Sequence, residues 1–488
     1  MKRNEYRRLG AAVLTALMLT AVSTAEAADE EKAVPGTAAA TVQQALEHPG
    51  KQVNFDNMLL AEKLPAAPET APAESIQIDL KGAVSTAIQN NRDIRISEYA
   101  LTQAEAAVSE AAAAKNPALG YTFSASRNRS EGTNVTTGRT GVSIRNSYSN
   151  GLNVTWPLWT GGRTEGLIDA ARYQRDAAEE AVYLSEADTK LNATSAYYQY
   201  LEAINLEDVS RESVENLSSH LTNVQQQYNA GIVAKLDVLS SNVSLANAKQ
   251  EYITAQNTKD VAEANLNNIM RLPMSTKLIP TDTNFPEPEF TITMDQALAI
   301  ADKNRWEILQ AEYAYKAAKE QVRVAKSGYL PTISVSGGYN WDDDDFPGFD
   351  NEGWNISGGL TWSLWDGGAT DAQIKSANAA AKSAKESLEQ IRESVALEVR
   401  QDYLNILAAK EKIRATEAAV AEAEEAYKIA TVRYKSGVGI NLDVLDAQYN
   451  LNAARTNYIT AMYDYNVGLA TLEKALGIPA VIRAENGK

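Results

Sequence analysis

Side chains that could support catalysis or metal binding are few and scattered in this sequence. The 488 residues contain no cysteine and two histidines, His48 and His220. Neither histidine has an acidic cluster beside it in the sequence, so neither suggests a metal site. No pairing of a nucleophile with a base is recognisable along the chain. The sequence therefore predicts no enzyme, no metal site and no cofactor.

The most distinctive stretch is a glycine-containing turn. Gly437 and Gly439 interrupt two long helix-like runs, and Asp443 follows in the first turn of the second run. Glycine reaches positive φ without a Cβ penalty, so it suits the link of a helical hairpin. A carboxylate at Asp443 suits the partial positive charge of a helix N-terminus. The pattern predicts a reversal between two antiparallel helices.

The same turn occurs earlier in the chain, because the sequence is duplicated. Tyr228 to Leu239 corresponds to Tyr434 to Leu445 at a spacing of 206 residues. Upstream of the central segments the spacing is 214 residues, so the first central segment is eight residues longer. The predicted organisation is a signal peptide (1–27), an Ala/Pro-rich linker (28–75), a first repeat (76–280), a second repeat (281–480) and a tail (481–488).

The N-terminus predicts export. Basic residues precede the apolar run AAVLTALMLTAV, and Ala25-Glu26-Ala27 is typical of a cleavage site. A retained N-terminal anchor is the alternative interpretation of the same run. The formal net charge of −17 at pH 7 argues against binding to nucleic acid.

Each repeat contains two segments with the alternation of a β-strand, at 117–126, 151–159, 331–339 and 354–365. Such segments of about ten residues suit tilted strands that cross a bilayer, although alternation also fits a soluble sheet. Tryptophans mark the ends of strands at a membrane interface. Six of the seven lie in or beside these segments, and we predict that they form a belt against outer-membrane lipid: Trp156, Trp159, Trp341, Trp354, Trp362 and Trp365.

Four strands cannot close a barrel, and an open sheet edge is not tolerated in lipid. Several chains must therefore share one barrel, with eight strands from two chains or twelve from three. The polar segment 127–150 between the first two strands is predicted as a loop. The flanking runs predict helices, including Leu80–Asn116 and Asp295–Ser327, and the run 167–230 would span roughly 96 Å. A seven-residue repeat of apolar residues predicts left-handed coiled-coil packing. In the second repeat its members are Val399, Ile406, Ile413, Val420, Tyr427 and Tyr434.

The predicted fold class is mainly α, with long coiled-coil helices and a small membrane β-barrel. Three functions fit these elements: a passive duct across the envelope, a trimeric coiled-coil stalk anchored in the outer membrane, and a periplasmic adaptor. Stalks usually carry their barrel strands together at one terminus, whereas here two hairpins are internal. An adaptor would need soluble β-domains. The order of elements therefore favours the duct.

The duplicated helix–hairpin–helix order and the Y-x-x-G…DVL turn resemble the TolC-like outer-membrane efflux proteins, from about Leu80 to Pro479. The resemblance implies a homotrimer with a twelve-stranded barrel and a long α-helical periplasmic tunnel in a Gram-negative-type bacterium. It also implies a passive exit duct for efflux or type I secretion. The implied partners are a periplasmic adaptor and an inner-membrane pump of the RND, ABC or MFS type.

The resemblance also assigns residues. It places the adaptor-binding tip at the two turns: Gly231, Ile232, Val233, Ala234, Gly437, Val438, Gly439 and Ile440. It makes Asp443 and Asp446 the acidic constriction of the closed tunnel, and Tyr434 and Asp237 partners in a link that holds the tunnel shut. The family's arginine in that link corresponds to Gly439, so this part is absent or replaced.

Physical reasoning supports a role for the two constriction carboxylates. Several copies of Asp443 and Asp446 around a narrow axis would repel one another and attract cations, including a divalent ion. The alternative role of either carboxylate is stabilisation of the helix N-terminus, worth about 0.3–1 kcal/mol.

Overall fold

The computed structural model describes residues 75–133 and 140–479. The predicted signal peptide, the predicted linker up to residue 74 and the predicted tail lie outside these residues. Ser75, predicted to end the linker, begins the first strand. The elements of the first half are β1 (Ser75–Ile78), α1 (Leu80–Asn90), α2 (Arg92–Ala113), β2 (Ala118–Thr133), β3 (Thr140–Trp159), α3 (Arg163–Asn229) and α4 (Lys235–Met270). Those of the second half are β4 (Lys277–Pro280), α5 (Met294–Asn304), α6 (Trp306–Lys326), β5 (Thr332–Asp343), β6 (Asn351–Thr361), α7 (Ala369–Lys435) and α8 (Asn441–Ala475).

The run predicted as one helix from Leu80 to Asn116 is two helices, α1 and α2, separated at Asn91. Asn91 has φ −65° and ψ 135°, and its Oδ1 accepts hydrogen bonds from the N–H groups of Asp93 and Ile94. This side chain caps a new helix instead of continuing the first. The run predicted as one helix over 295–327 breaks at Arg305, 214 residues later, where the backbone has a similar conformation (φ −66°, ψ 121°) but the side chain forms no capping hydrogen bond. The duplication therefore preserves the break.

The two longest helices, α3 and α7, have 67 residues each and rise about 100 Å. Each begins after two consecutive glycines with positive φ, Gly161-Gly162 and Gly367-Gly368. Side chains rarely adopt this conformation, so the glycine pair lets the chain turn from the strand into the helix. The two halves therefore share the same junction.

The four long strands form one antiparallel sheet in the order β2-β3-β5-β6. The register places one set of alternate residues on each face. One face carries Leu119, Tyr121, Leu152, Val154 and Ile356, while the other consists mainly of glycine, serine, threonine and asparagine residues. The sheet thus has one apolar face and one small, polar face.

Two predicted strand boundaries are wrong. The polar segments 127–133 and 140–150, which belong to the predicted loop 127–150, extend the first hairpin, because β2 and β3 stay paired out to Thr133 and Thr140. The eight pairs from Ser126 to Thr133 make a two-stranded ribbon about 27 Å long. Polar strands pair well where water covers both faces, so the lack of apolar alternation was misleading. The segment predicted as a strand up to residue 365 ends at Thr361.

The helices pack in a defined order. Nearer the sheet the order is α2–α3–α6–α7, and farther from it α4–α3–α8–α7. The interfaces within the two hairpins, α3/α4 and α7/α8, are built on apolar side chains such as Leu217, Leu245, Ile406 and Met462. The α3/α8 interface, which joins the hairpins, carries polar pairs along its length: Ser213–Asn452, Glu212–Arg455, Glu202–Thr460, Lys190–Glu473 and Asp188–Lys474.

The predicted seven-residue repeat forms the packed face of α7, where Val399, Ile406, Ile413 and Tyr434 are buried. In the first repeat the pattern is interrupted by Glu207, whose Oε2 lies 2.6 Å from Lys259 Nζ of α4. A paired carboxylate at such a position costs less than an isolated one. The interruption is therefore accommodated by an ion pair across the α3/α4 interface.

Two short strands were not predicted. β1 and β4 pair in parallel, from Ser75 with Lys277 to Ile78 with Pro280. The buried side chains Ile78 and Leu278 join the cluster around Tyr197. Four-residue strands carry too little alternation to be recognised in a sequence. Within the described residues, no helix has a stretch that is both long and apolar enough to cross a bilayer.

Candidate channel gate at the helical turns

The two turns have the same backbone geometry. Gly231 and Gly437 have φ of 76° and 75°. In the first turn the N–H of Ile232 donates to the carbonyl of Gln227, and in the second the N–H of Val438 donates to that of Arg433. This bond pattern with a left-handed glycine is the Schellman motif, which satisfies carbonyls at a helix C-terminus. The sequence prediction of two helical reversals is met at both places.

The eight residues predicted to form the adaptor-binding tip all lie in these turns. Ile232, Val438 and Ile440 expose large apolar side chains, while Val233 is half-buried. Exposed apolar groups in a cluster are typical of a contact surface. The assignment of this surface to an adaptor stays a prediction.

The two predicted gate carboxylates lie at the start of α8. Asp443 occupies its first turn, Asp446 lies one turn further on, and both side chains are exposed. In the described part of the chain, neither forms an ion pair or a side-chain hydrogen bond with another residue. Both charges are thus available to groups outside this single chain.

The other two predicted gate residues, Tyr434 and Asp237, interact electrostatically but form no hydrogen bond with each other through their side chains. Tyr434 is 3% exposed, and its Oη has no hydrogen-bond partner among the described residues. Burial raises the pKa of Tyr434, and the negative charge of Asp237 raises it further. The carboxylate of Asp237 therefore acts on the tyrosine at a distance within one chain.

Gly439, which the resemblance aligns with the family's arginine, lies tightly against the end of α7. A Cβ at this position would lie 3.0 Å from the backbone nitrogen of Tyr434 and 3.2 Å from the carbonyl carbon of Arg433. Its N–H also donates to the carbonyl of Arg433. Because the second turn lies this close to α7, an arginine would require the backbone to move.

Close to the turns, four buried side chains meet, one from each of the long helices α3, α4, α7 and α8. They are His220, Ser241, Tyr434 and Asn441, and we call them the tip cluster. His220 Nε2 lies 2.6 Å from Asn441 Oδ1, and Ser241 Oγ donates to the same oxygen at 3.1 Å. The His220 ring packs on Tyr434 with 5.0 Å between centroids. The cluster connects the two hairpins.

The chemistry of Asn441 fixes the histidine tautomer. Its Nδ2 donates to the backbone carbonyl of Asp237 at 3.2 Å, so its Oδ1 is the acceptor that faces His220. His220 Nε2 therefore carries a proton. Burial lowers the pKa of His220, and the nearby charge of Lys435 lowers it further, while the bond to Asn441 opposes this shift. The ring is therefore biased towards its neutral form.

Sequence analysis missed three members of the tip cluster. His220 lay on a predicted helix without a recognisable partner, Ser241 lay outside any motif, and Asn441 lay within the duplicated turn but was assigned no role. The one available signal was a break in the duplication, because Asn441 corresponds to Lys235. Such a break shows that two positions differ in role, but it does not identify the partner.

Tryptophan side chains anchor the sheet to the helices. Trp156 Nε1 donates to the carbonyl of Lys115 at 3.0 Å, and Trp362 Nε1 donates to the carbonyl of Tyr329 at 3.0 Å. The two bonds are equivalent under the duplication, although Trp362 lies just past the end of β6. Indoles with one polar contact and an exposed ring suit a membrane interface.

The six predicted belt residues divide between the two ends of the sheet. Trp156, Trp159, Trp362 and Trp365 lie at the end that joins the helices, and Trp341 and Trp354 lie towards the other end. The eight residue steps from Trp354 in β6 to Trp362, just past its end, span about 27 Å. This separation suits two aromatic girdles around an apolar band. Contact of these rings with lipid stays a prediction.

Metal binding has no support in the described residues, which contain no group of three or more His, Asp or Glu side chains placed to hold an ion. The exposed carboxylates of Asp443 and Asp446 come from one helix of one chain. Any ion bound there would need ligands from further copies.

Comparison with known proteins identifies the family of the chain. The family described as "Outer membrane efflux protein" matches residues 83–270 and 297–478. The chain is 27% identical over 356 residues to the outer membrane protein TolC of Escherichia coli, covering 67% of this chain and 71% of TolC. It is 26% identical over 432 residues to the outer membrane protein OprJ of Pseudomonas aeruginosa, covering 86% of this chain and 88% of OprJ.

The fold has a match among solved structures. The CmeC outer membrane channel of Campylobacter jejuni superposes with a TM-score of 0.72 at 20% identity, covering 82% of this chain and 85% of CmeC. This match confirms the predicted fold class of long helices with strands.

The family match confirms the similarity to TolC-like proteins that the sequence indicated, and it confirms the predicted location in the outer membrane. It supports the efflux channel over the adhesive stalk. The chain belongs to the outer membrane efflux protein family.

Proposed function

We propose that three copies of this chain form the outer-membrane exit duct of a tripartite efflux or secretion system. The observation that carries the proposal is the single four-stranded sheet with two free edges, attached to helices about 100 Å long. A sheet of this kind satisfies its edge groups in lipid only when copies pair edge to edge. Three copies supply twelve strands.

The edges of the sheet support this assembly. β2 and β6 each have a partner on one side only within the described sheet. Pairing β2 of one copy with β6 of the next would close a barrel. The apolar face with Leu152 and Ile356 would then meet lipid, and the face of small polar residues would line the lumen.

The helical edges carry matching apolar residues. α4 and α7 are the outer helices of the four-helix layer. Exposed large apolar side chains follow heptad-like spacings on both: Leu236, Leu239, Val243 and Ile253 on α4, and Leu397, Leu404, Ile429 and Val432 on α7. Packing α4 of one copy on α7 of the next would bury both rows in coiled-coil contacts. Three copies would then enclose a tunnel.

The gate and partners follow from the same arrangement. In a closed tunnel, Asp443 and Asp446 of each copy would project at the constriction, giving six carboxylates that select for cations. Tyr434 and Asp237 would support the closed state. The exposed apolar residues of the two turns would meet a periplasmic adaptor. That adaptor connects the duct to an inner-membrane pump of the RND, ABC or MFS type, and the pump selects the substrate.

Single-channel conductance of the purified protein in a planar bilayer tests the proposal. The wild type should give a small conductance that prefers cations. Asp443→Asn with Asp446→Asn keeps side-chain shape and removes the charges, so cation preference should fall and conductance should rise. Glu110→Gln, an exposed carboxylate of α2, is the matched control and should change neither.

Two results would contradict the proposal in different ways. No conductance from a membrane-inserted trimer would overturn the duct and favour the stalk. A conducting trimer whose ion selectivity is unchanged in the double variant would retain the duct but remove Asp443 and Asp446 from the gate.

A further inference from the structure

The tip cluster connects the two hairpins at their far ends. All four of its side chains are at most 5% exposed: His220 4%, Ser241 1%, Tyr434 3% and Asn441 5%. Buried polar groups must find partners, because leaving one unpaired costs about 1–3 kcal/mol. Here Asn441 supplies the partners for several groups at once.

Asn441 contacts both helices of the first hairpin. Its Oδ1 accepts from His220 of α3 and from Ser241 of α4, and its Nδ2 donates to the Asp237 carbonyl in the first turn of α4. Separating the hairpins here would leave two donors and one carbonyl without these partners. The two donors would have to find water or remain unpaired.

A second asparagine of α8 provides a comparison within the same interface. Asn452 Nδ2 donates to Ser213 Oγ of α3 at 2.6 Å, eleven residues further from the turn than Asn441. It is half-buried, and its Oδ1 accepts from Gln448 of its own helix. Asn452 therefore links α8 to one helix of the first hairpin, whereas Asn441 links it to two.

The duplication shows that this connection belongs to one turn. The residue equivalent to Asn441 is Lys235, and the residue equivalent to Tyr434 is Tyr228, which is 38% exposed. A Cβ at Gly439 would lie 3.0 Å from the backbone nitrogen of Tyr434, so a side chain there would require the backbone of α7 to shift. The tip cluster instead uses side chains of α7 and α8, Tyr434 and Asn441.

We propose that the tip cluster is a clasp within each chain, in which Asn441 is the positioning residue that holds the second hairpin against the first and keeps the tip of the duct narrow. This inference rests on the proposed function. Opening the tip would require the α7/α8 hairpin to leave the α3/α4 hairpin, and Asn441 bonds both helices that it would leave. The clasp thereby replaces the link that an arginine at Gly439 would make.

The experiment compares single-channel recordings of Asn441→Ala and Asn452→Ala in the full trimer. Both variants remove one asparagine of α8 that bonds α3. Asn441→Ala should raise the open probability about tenfold, as expected for the loss of a buried hydrogen-bond connection. Asn452→Ala should change it less than about twofold. Trimer mass and thermal stability are measured in parallel.

Substitutions at His220 test the chemistry of the clasp. His220→Gln retains an N–H donor for Asn441 Oδ1, so its open probability should stay near the wild type. His220→Leu retains apolar bulk but removes the donor, so its open probability should rise as in Asn441→Ala. Equal behaviour of the two His220 variants would overturn the hydrogen-bonded clasp.

A cross-link keeps the test decisive if Asn441→Ala does not assemble. The chain has no cysteine, so Ser241→Cys with Asn441→Cys introduces the only two thiols. Joining them with a short bis-methanethiosulfonate, which forms a disulfide with each thiol and releases methanesulfinate, should give low conductance, and reduction of the two disulfides should raise it. Conductance that does not respond to cleavage would overturn the clasp.

The outcomes separate this inference from the proposed function. A conducting wild type in which Asn441→Ala matches Asn452→Ala would overturn the clasp and retain the duct. A wild-type trimer that inserts but does not conduct would overturn the duct itself, whatever the variants do.

Discussion

The two helical turns of this protein have the same backbone conformation, but the side chains around them differ in burial. Both end a 67-residue helix with a glycine at φ near 75° and the same Schellman bonds. The tyrosine three residues before that glycine is 38% exposed in the first turn, at Tyr228, and 3% exposed in the second, at Tyr434. The duplication preserved the backbone conformation, whereas the burial of the tyrosine depends on the neighbouring helices.

The difference shows how a symmetric repeat acquires one specialised site. The cluster forms only where particular side chains of both copies diverged together, because a hydrogen bond needs both partners. One copy supplies His220 and Ser241, and the other supplies Tyr434 and Asn441. The equivalent pairs that diverged in residue type are Val233/Gly439, Lys235/Asn441 and His220/Ala426, whereas the tyrosine is the same in both copies.

The largest expected effect is at the two tyrosines. Tyr434→Ala would empty a buried site and destabilise the tip by about 3 kcal/mol, whereas Tyr228→Ala should cost under about 1 kcal/mol. Amide hydrogen exchange across residues 430–445 measures the local free energy of opening. Equal loss of protection in both variants would show that the two turns share one environment in the assembled protein.

Tyr434→Phe sharpens this comparison. The Oη of Tyr434 is buried without a partner in the described chain, so removing it should stabilise the tip by about 1 kcal/mol. Hydrogen exchange of the same segment measures the change. Lower protection in this variant would instead indicate that the hydroxyl bonds Asp237 in the trimer, as the family resemblance implies.

The turn glycines are expected to differ by position. Gly231→Ala and Gly437→Ala should each cost about 1–2 kcal/mol, because both require positive φ. Gly439→Ala should cost about 1 kcal/mol through contact with the Tyr434 backbone, while Val233→Ala should cost less. Thermal unfolding followed by circular dichroism checks this order. A Gly439→Ala protein as stable as the wild type would show that the second turn can move away from α7.

The pH dependence of the tip follows from the lowered pKa of His220. The unfolded histidine takes up a proton below pH 6.5, but the folded one does so only at lower pH, so the tip loses stability as pH falls below 6.5. Charges near the ring are Lys435 on α7, which opposes protonation, and Asp237 on α4, close to the packed Tyr434. Hydrogen exchange at pH 7.5 and 5.5 should show this loss in the wild type and a smaller one in His220→Gln.

The smallest effect is expected at Lys235. Lys235→Asn places an asparagine at the position of the first turn that is equivalent to Asn441. It supplies no hydrogen-bond partner equivalent to His220, because the equivalent residue in the second repeat is Ala426. Lys235 is exposed, so the change should stay within about 0.5 kcal/mol. A clear gain in tip stability would show that one asparagine suffices to build the clasp.

Much of the fold was predictable because it depends on local periodicity. The period of a helix appears in the heptad through Val399 and Ile406, and the period of a strand appears in the alternation through Leu119 and Tyr121. The glycine turns are also recognisable from a few neighbouring residues. The helix break at Asn91 was missed, since an asparagine inside an alanine-rich run carries little signal for a cap. The ribbon at 126–133 was missed because water-exposed strands need no apolar face.

The sequence by itself determined the duplication, the approximate lengths of α3 and α7, and the chemistry available at each turn. These properties follow from residues near one another in the chain, whose spacing matches the period of a helix or a strand. The tertiary structure decided which of two equivalent turns became buried. His220 and Asn441 lie 221 residues apart, and only the packing of α3 against α8 brings a donor on one helix within 2.6 Å of an acceptor on the other.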